Sequence, residues 1–101
     1  MIQGFKDRGT QDIYDGISSK EARRKLPKNL WPLAQRKLFA LDSATQVSDL
    51  RAPPGNRLDE LRGAHARLWS IRINERYRLV FRWEEGVGPS DAWLGDYHDS
   101  L

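Results

Sequence analysis

Residues Arg67 to Trp83 read Arg-Leu-Trp-Ser-Ile-Arg-Ile-Asn-Glu-Arg-Tyr-Arg-Leu-Val-Phe-Arg-Trp, and this stretch decides the fold. Trp69, Ile71 and Ile73 alternate with Leu68, Ser70 and Arg72, while Tyr77, Leu79, Phe81 and Trp83 alternate with Arg78, Val80 and Arg82. Period-two alternation of aromatic and β-branched residues predicts two strands, each with one buried face. Asn74-Glu75 interrupts the pattern. Asparagine tolerates positive φ in a tight connection, so an antiparallel hairpin is expected. One face of it is apolar, and the other carries Arg72, Arg78 and Arg82.

The apolar face needs a partner, and the preceding segment supplies one. Leu30, Ala34, Leu38, Leu41 and Thr45 fall at helical spacing, with Gln35, Arg36 and Asp42 turned outward and Pro32 confined to the first turn. Burying the larger side chains of this stripe against the hairpin is worth roughly 1.5–3 kcal/mol each, enough to make most of the core. Upstream, Ser18-Ser19-Lys20-Glu21 has the form of a capping box opening a basic helix with Lys20, Arg23, Arg24 and Lys25, which Pro27 ends. A short helix is expected around Thr10 to Tyr14, and a weakly alternating first strand over Ile2 to Lys6.

Downstream, Pro53-Pro54-Gly55-Asn56 predicts a type II turn with Pro54 and Gly55 at its centre. Arg57 to Leu61 then reads as a strand and Gly63 to Ala66 as a loop. After the hairpin, Glu84 to Asp91 is a loop and Ala92 to Tyr97 the last strand. The order of one strand, helices and then successive strands predicts an α+β fold, with N-terminal helices packed on one face of a twisted, mostly antiparallel sheet. At 101 residues the whole chain, 1–101, is expected to be a single domain.

Composition narrows the function classes. No apolar run approaches the ~20 residues of a membrane span, and Met1 to Lys6 has no signal-peptide core. Cysteine is absent, which removes disulfides and thiolate metal sites and points to a cytoplasmic protein. With two histidines, no metal or other cofactor is expected. The net charge of +3 hides an asymmetry: Arg51 to Arg82 carries eight arginines against Asp59, Glu60 and Glu75, a local balance of +5 that leaves the rest at −2. All five lysines lie at or before Lys37. Guanidinium is planar and forked, matches phosphate bidentately and stacks on bases, so the arginine face reads either as a solvated strand face or as a surface for nucleic acid. The chain closes on Asp96-Tyr97-His98, a carboxylate, a phenol and an imidazole in succession. Taken by themselves these residues are a polar tail or a set of proton-transfer groups. His65 reads as ordinary surface, and Trp31 and Trp93 as core or partner contacts.

Several segments together resemble one family. Leu41-Asp42-Ser43-Ala44-Thr45, Asp49-Leu50, Pro53-Pro54-Gly55-Asn56-Arg57-Leu58, Leu61-Arg62-Gly63, Trp69-Ser70-Ile71-Arg72-Ile73-Asn74, Tyr77-Arg78-Leu79-Val80-Phe81 and the terminal Asp96-Tyr97-His98 are similar in order and spacing to the HigB toxins, or plasmid maintenance killer proteins, of the RelE/ParE superfamily. The likeness runs from about Ala34 to His98, with Met1-Ile2 and Phe5-Lys6 added. It implies a toxin of a type II toxin–antitoxin system: a metal-independent endoribonuclease that cuts messenger RNA on the ribosome. A helix-turn-helix antitoxin of HigA type, encoded beside it, would neutralise it, and operator DNA would be met only through the antitoxin complex.

The resemblance also implies roles. Arg78 matches the arginine on the scissile phosphate, and Asp96, Tyr97 and His98 match the catalytic terminal motif. Arg62 stands where many members have lysine, and Arg57, Arg72 and Arg82 join it as expected RNA contacts. Asp59 departs from the pattern, since well-studied members carry histidine there; it is retained as a candidate acid or base. Two rival readings share the fold: a ParE-like toxin that acts on DNA gyrase and cuts nothing, and a non-catalytic module that binds RNA or the ribosome.

Overall fold

The computed structural model describes residues 1–61 and 68–96. Three helices, α1 (Arg8–Asp15), α2 (Lys20–Lys25) and α3 (Trp31–Ser43), precede four strands, β1 (Asp59–Glu60), β2 (Leu68–Arg72), β3 (Tyr77–Glu84) and β4 (Gly88–Asp96). The strands form one antiparallel sheet in the order β1-β2-β3-β4. This is the expected α+β arrangement. Among the described residues, no helix is long and apolar enough to cross a membrane.

The β2–β3 register pairs Trp69 with Phe81, Ile71 with Leu79 and Arg72 with Arg78. Directly paired residues leave the sheet on one face. Ile71, Leu79 and Phe81 therefore share a face with Leu94 and Ala92 of β4, and they are fully buried with Ala34, Leu38 and Leu41 of α3. The hairpin and the helix stripe thus pack as the sequence predicts. Helix α1 adds Ile13 to this core, and Thr10 ties it to the sheet: its buried Oγ1 accepts the Leu94 amide at 2.9 Å.

Several local expectations change. Ile2 to Lys6 forms no strand of its own. It runs along the β4 edge with one parallel bridge, Phe5 to Ala92, where Pro89 offers no N–H and a bulge interrupts β4. Asp7 caps Thr10 at 2.8 Å, so α1 is longer than the segment Thr10 to Tyr14. Helix α2 is capped by Ser19, not Ser18; its Oγ accepts from Ala22 at 3.0 Å and donates to Asp12 at 2.6 Å. Asp42 does not face outward but accepts the Ile2 amide at 2.8 Å, and Gln35 donates to the Tyr14 carbonyl at 3.2 Å. Thr45 lies beyond the end of α3 and is exposed.

The turn chemistry changes too. Asn74 has no positive φ; its Oδ1 accepts the Arg76 and Tyr77 amides at 2.9 and 2.8 Å, and a four-residue bend replaces the tight turn. Pro54–Asn56 is a 3-10 turn rather than type II, and the left-handed residue is Arg57, not Gly55. Strand β1 shrinks to two residues, while β4 begins at Gly88, inside the expected loop. In β4, Asp91 at φ 51 is the extra residue of the bulge, since Val80 pairs with Trp93 but Arg82 with Ser90.

Gly9 sets the spacing of α1 and α2. A Cβ there would lie 2.5 Å from the Glu21 carbonyl oxygen and 2.5 Å from Cγ of Lys25. Gly9→Ala should therefore push the two helices apart and cost about 1–3 kcal/mol, as overpacking does. For a domain of this size that lowers the melting temperature by roughly 4–8 °C per kcal/mol. An unchanged melt would contradict the close α1–α2 contact.

Candidate nucleic-acid interface

The face of the sheet turned away from α3 holds two different surfaces. In its middle, Leu61, Val80 and Trp93, with Leu68 against them, form a second, smaller apolar cluster. Arg72, Arg78 and Arg82 stand on this face as expected, with Val80 between the last two. Trp93 belongs to a core contact, and its ring carries the ammonium groups of Lys6 and Lys25 at 5.4 and 5.6 Å.

At the hairpin end of the same face the cations gather. Arg72 and Arg78 are direct cross-strand partners. Together with Arg57, Asn74 and Glu75 they line an open groove of about 330 Å³. Like charges placed directly opposite on a sheet oppose folding by some 0.2–1 kcal/mol. A bound anion would reverse that sign, because one phosphate can accept from both forks. Such a pair offers two forked donors to an anion.

The segment before β1 shapes the groove. Asn56 is buried; its Nδ2 donates to the carbonyls of Leu50 and Ala52 at 3.1 and 3.2 Å, and its Oδ1 accepts from Lys37 of α3. Burial, with Arg36 as a lesser cause, lowers the Lys37 pKa below its ordinary value. The next residue, Arg57, is held at φ 47, ψ 54, a left-handed conformation costing a non-glycine residue roughly 1–2 kcal/mol. Its carbonyl accepts from Nη2 of Arg78 at 2.8 Å.

The remaining site candidates distribute as follows. Asp59 pairs with Ser70, which pairs with Val80, so its exposed side chain shares the face of Arg72 and Arg78. Arg82 lies on that face too, but at the far end, paired with Leu68 and bonded to Asp91 at 3.3 Å; it does not line the groove. Asp96 pairs with Tyr77, and Arg78 with Gly95, so alternation turns Asp96 to the face opposite Arg78. There its carboxylate accepts from Nε of Arg76 at 2.6 Å, and the Arg76 guanidinium lies 5.4 Å from the Tyr77 ring. Arg62, Tyr97 and His98 lie outside the described residues, as does His65.

Sequence reading missed Asn56, Glu75 and Arg76. Asn56 read only as part of a turn and Glu75 only as part of the hairpin break, and the Arg beside that break gave no periodic signal. Among the described residues, no three potential metal ligands cluster.

The groove generates a test. Arg72→Gln keeps the side chain's length and hydrogen bonding but removes one of the two facing charges. At low salt it should raise stability by about 0.2–1 kcal/mol, a gain that fades as salt screens the pair. It should also weaken binding of a single-stranded RNA oligonucleotide and reduce the salt dependence of that binding by about one phosphate contact. A destabilised variant with unchanged RNA binding would make Arg72 structural.

Comparison with known proteins bears on this surface. Residues 3–98 match the family described as RelE-like toxin of type II toxin–antitoxin system HigB. The chain is 41% identical over 87 residues to Toxin HigB-1 of Vibrio cholerae serotype O1, covering 86% of this chain and 88% of that protein. It is 36% identical over 72 residues to an uncharacterised protein of Haemophilus influenzae, 71% of each. Endoribonuclease HigB of Proteus vulgaris is 26% identical over 100 residues, 98% of each.

Proposed function

The chain belongs to the HigB family of RelE-like toxins of type II toxin–antitoxin systems, and from that premise we propose that it is an endoribonuclease that cuts messenger RNA on the ribosome. A toxin of this type has an antitoxin partner. The activity proposed here follows the name of the Proteus vulgaris relative, and ribosome dependence follows the sequence resemblance. The single observation that carries an RNA substrate is the facing pair of Arg72 and Arg78, joined by Arg57 in one open groove.

The chemistry follows from what the groove offers. RNA cleavage without metal uses the substrate's own 2′-hydroxyl as nucleophile. A base takes its proton, the phosphate passes through a charged phosphorane, and an acid protonates the leaving 5′-oxygen. Arg78 and Arg72 serve the phosphorane, because guanidinium stays charged and forks onto non-bridging oxygens. Arg57 and Arg62 hold neighbouring phosphates, and Arg82 contacts RNA only beyond the groove. His98 is the proton carrier, because imidazole is the side chain most often used as general acid and base. Asp59 shares the arginine face, which favours it over Asp96 as the carboxylate beside the phosphate. Asp96, bonded to Arg76, fixes the end of β4 from the other side, and Tyr97 stacks on a base. The antitoxin is a helix-turn-helix protein from a neighbouring gene, the complex binds operator DNA through it, and the chain acts in the cytoplasm.

Induced alone in a bacterium, the chain should stop growth with its messages cut, and the neighbouring antitoxin should restore growth. Arg78→Ala should reduce cleavage by about 10²–10³, equivalent to roughly 2.7–4 kcal/mol, as loss of an oxyanion donor does. His98→Gln keeps a hydrogen-bonding side chain but carries no proton near neutrality, and should lose about 10²–10⁴. Wild-type cleavage by Arg78→Ala would overturn the phosphate role. Wild-type cleavage by His98→Gln would move proton transfer to Asp59 or to Asp96 with Tyr97. Lost DNA supercoiling with intact messages would favour the gyrase reading.

A further inference from the structure

The left-handed conformation at Arg57 has a consequence for Arg78. In that conformation the Arg57 carbonyl accepts from Nη2 of Arg78 at 2.8 Å. In the right-handed or extended regions the same peptide turns its carbonyl elsewhere. The turn before it cannot relax freely, because Asn56 is buried and bound to Leu50, Ala52 and Lys37, and the Arg57 amide donates to Pro54 at 3.1 Å. A glycine would hold this conformation without strain, yet the residue is an arginine that lines the groove with Arg72 and Arg78.

We propose that Arg57 has two separable roles. Its backbone carbonyl, presented by the left-handed turn that Asn56 anchors, is the positioning group that orients the Arg78 guanidinium. Its side chain is an RNA contact. The first role rests on the nuclease reading of Arg78; the second requires only an anionic ligand in the groove. The two roles explain why a strained backbone and a cationic side chain occupy one position. A guanidinium swings on a long flexible stem, and fixing one corner of its fork reduces the freedom lost when it closes on the phosphorane.

The test is a series at one position: Arg57→Gly, Arg57→Ala and Arg57→Val. All three lack the guanidinium, so all three should show the same rise in KM for ribosome-bound message. They differ in how readily the backbone stays left-handed: glycine freely, alanine with strain, β-branched valine worst. The turnover number should therefore fall in the order Gly, Ala, Val, with about three- to tenfold between the first two, corresponding to roughly one hydrogen bond. Thermal melts confirm that each variant is folded. One common turnover number across the three folded variants would overturn the positioning role; an unchanged KM would overturn the side-chain role. If the wild-type chain cuts no RNA, the nuclease reading fails, and the positioning claim is still read by NMR. The Arg78 guanidinium signals should report slower rotation in Arg57→Gly than in Arg57→Val, and identical signals in both would refute it.

Discussion

The register between β2 and β3 is the constraint on which the rest of this structure depends. With Ile71 opposite Leu79 and Trp69 opposite Phe81, the hairpin presents one continuous apolar face to α3. A slip of one residue would invert the faces of the strand that moves, turning Arg72 or Arg78 into that core and exposing Ile71 or Leu79. Burying unpaired guanidinium costs far more than the few kcal/mol by which a domain is stable. The core therefore excludes the arginines, and the same register that excludes them places Arg72 directly beside Arg78. Folding and the arginine groove are two sides of one pairing.

The groove is completed from elsewhere in the chain. Asn56 ties the turn before β1 to α3 through Lys37, and Arg57 then meets Arg78 across 21 positions of sequence. Thr10 fastens α1 to β4 at Leu94, and Asp42 fastens the N-terminus to α3. Arg82 has the same alternation as Arg78 but lies beside the bulge, where Asp91 holds it at 3.3 Å. Four residues along β3 thus separate a cation that lines the groove from one that does not.

What was legible in the sequence was what has a period. The hairpin's alternation and the Ala34, Leu38, Leu41 stripe gave the fold, because burial on one face forces those spacings. Terminal and turn details were less legible, since neighbouring residues could serve equally: Ser18 or Ser19 as cap, Gly55 or Arg57 as the left-handed residue. Contacts between distant segments, such as Asp42 with Ile2, left no periodic trace at all. At the site, composition marked the arginine face, while convergence of Arg57, Arg72 and Arg78 depended on a turn and a register that no single motif spells out. The Asp96-Tyr97-His98 motif read as one unit, yet β4 turns Asp96 to the face opposite Arg78 and bonds it to Arg76.

The central claim is that this arginine groove acts on message held by the ribosome. Its most direct test compares the wild-type protein's single-turnover cleavage rate for one messenger RNA bound in a ribosome complex with the rate for the same RNA naked, at equal salt. The account predicts cutting on the ribosome at least a hundredfold faster, a margin on the order of what positioning alone supplies. Equal rates on both would contradict it and make the protein a free ribonuclease, and binding to the ribosome without any cutting would make it a binding module.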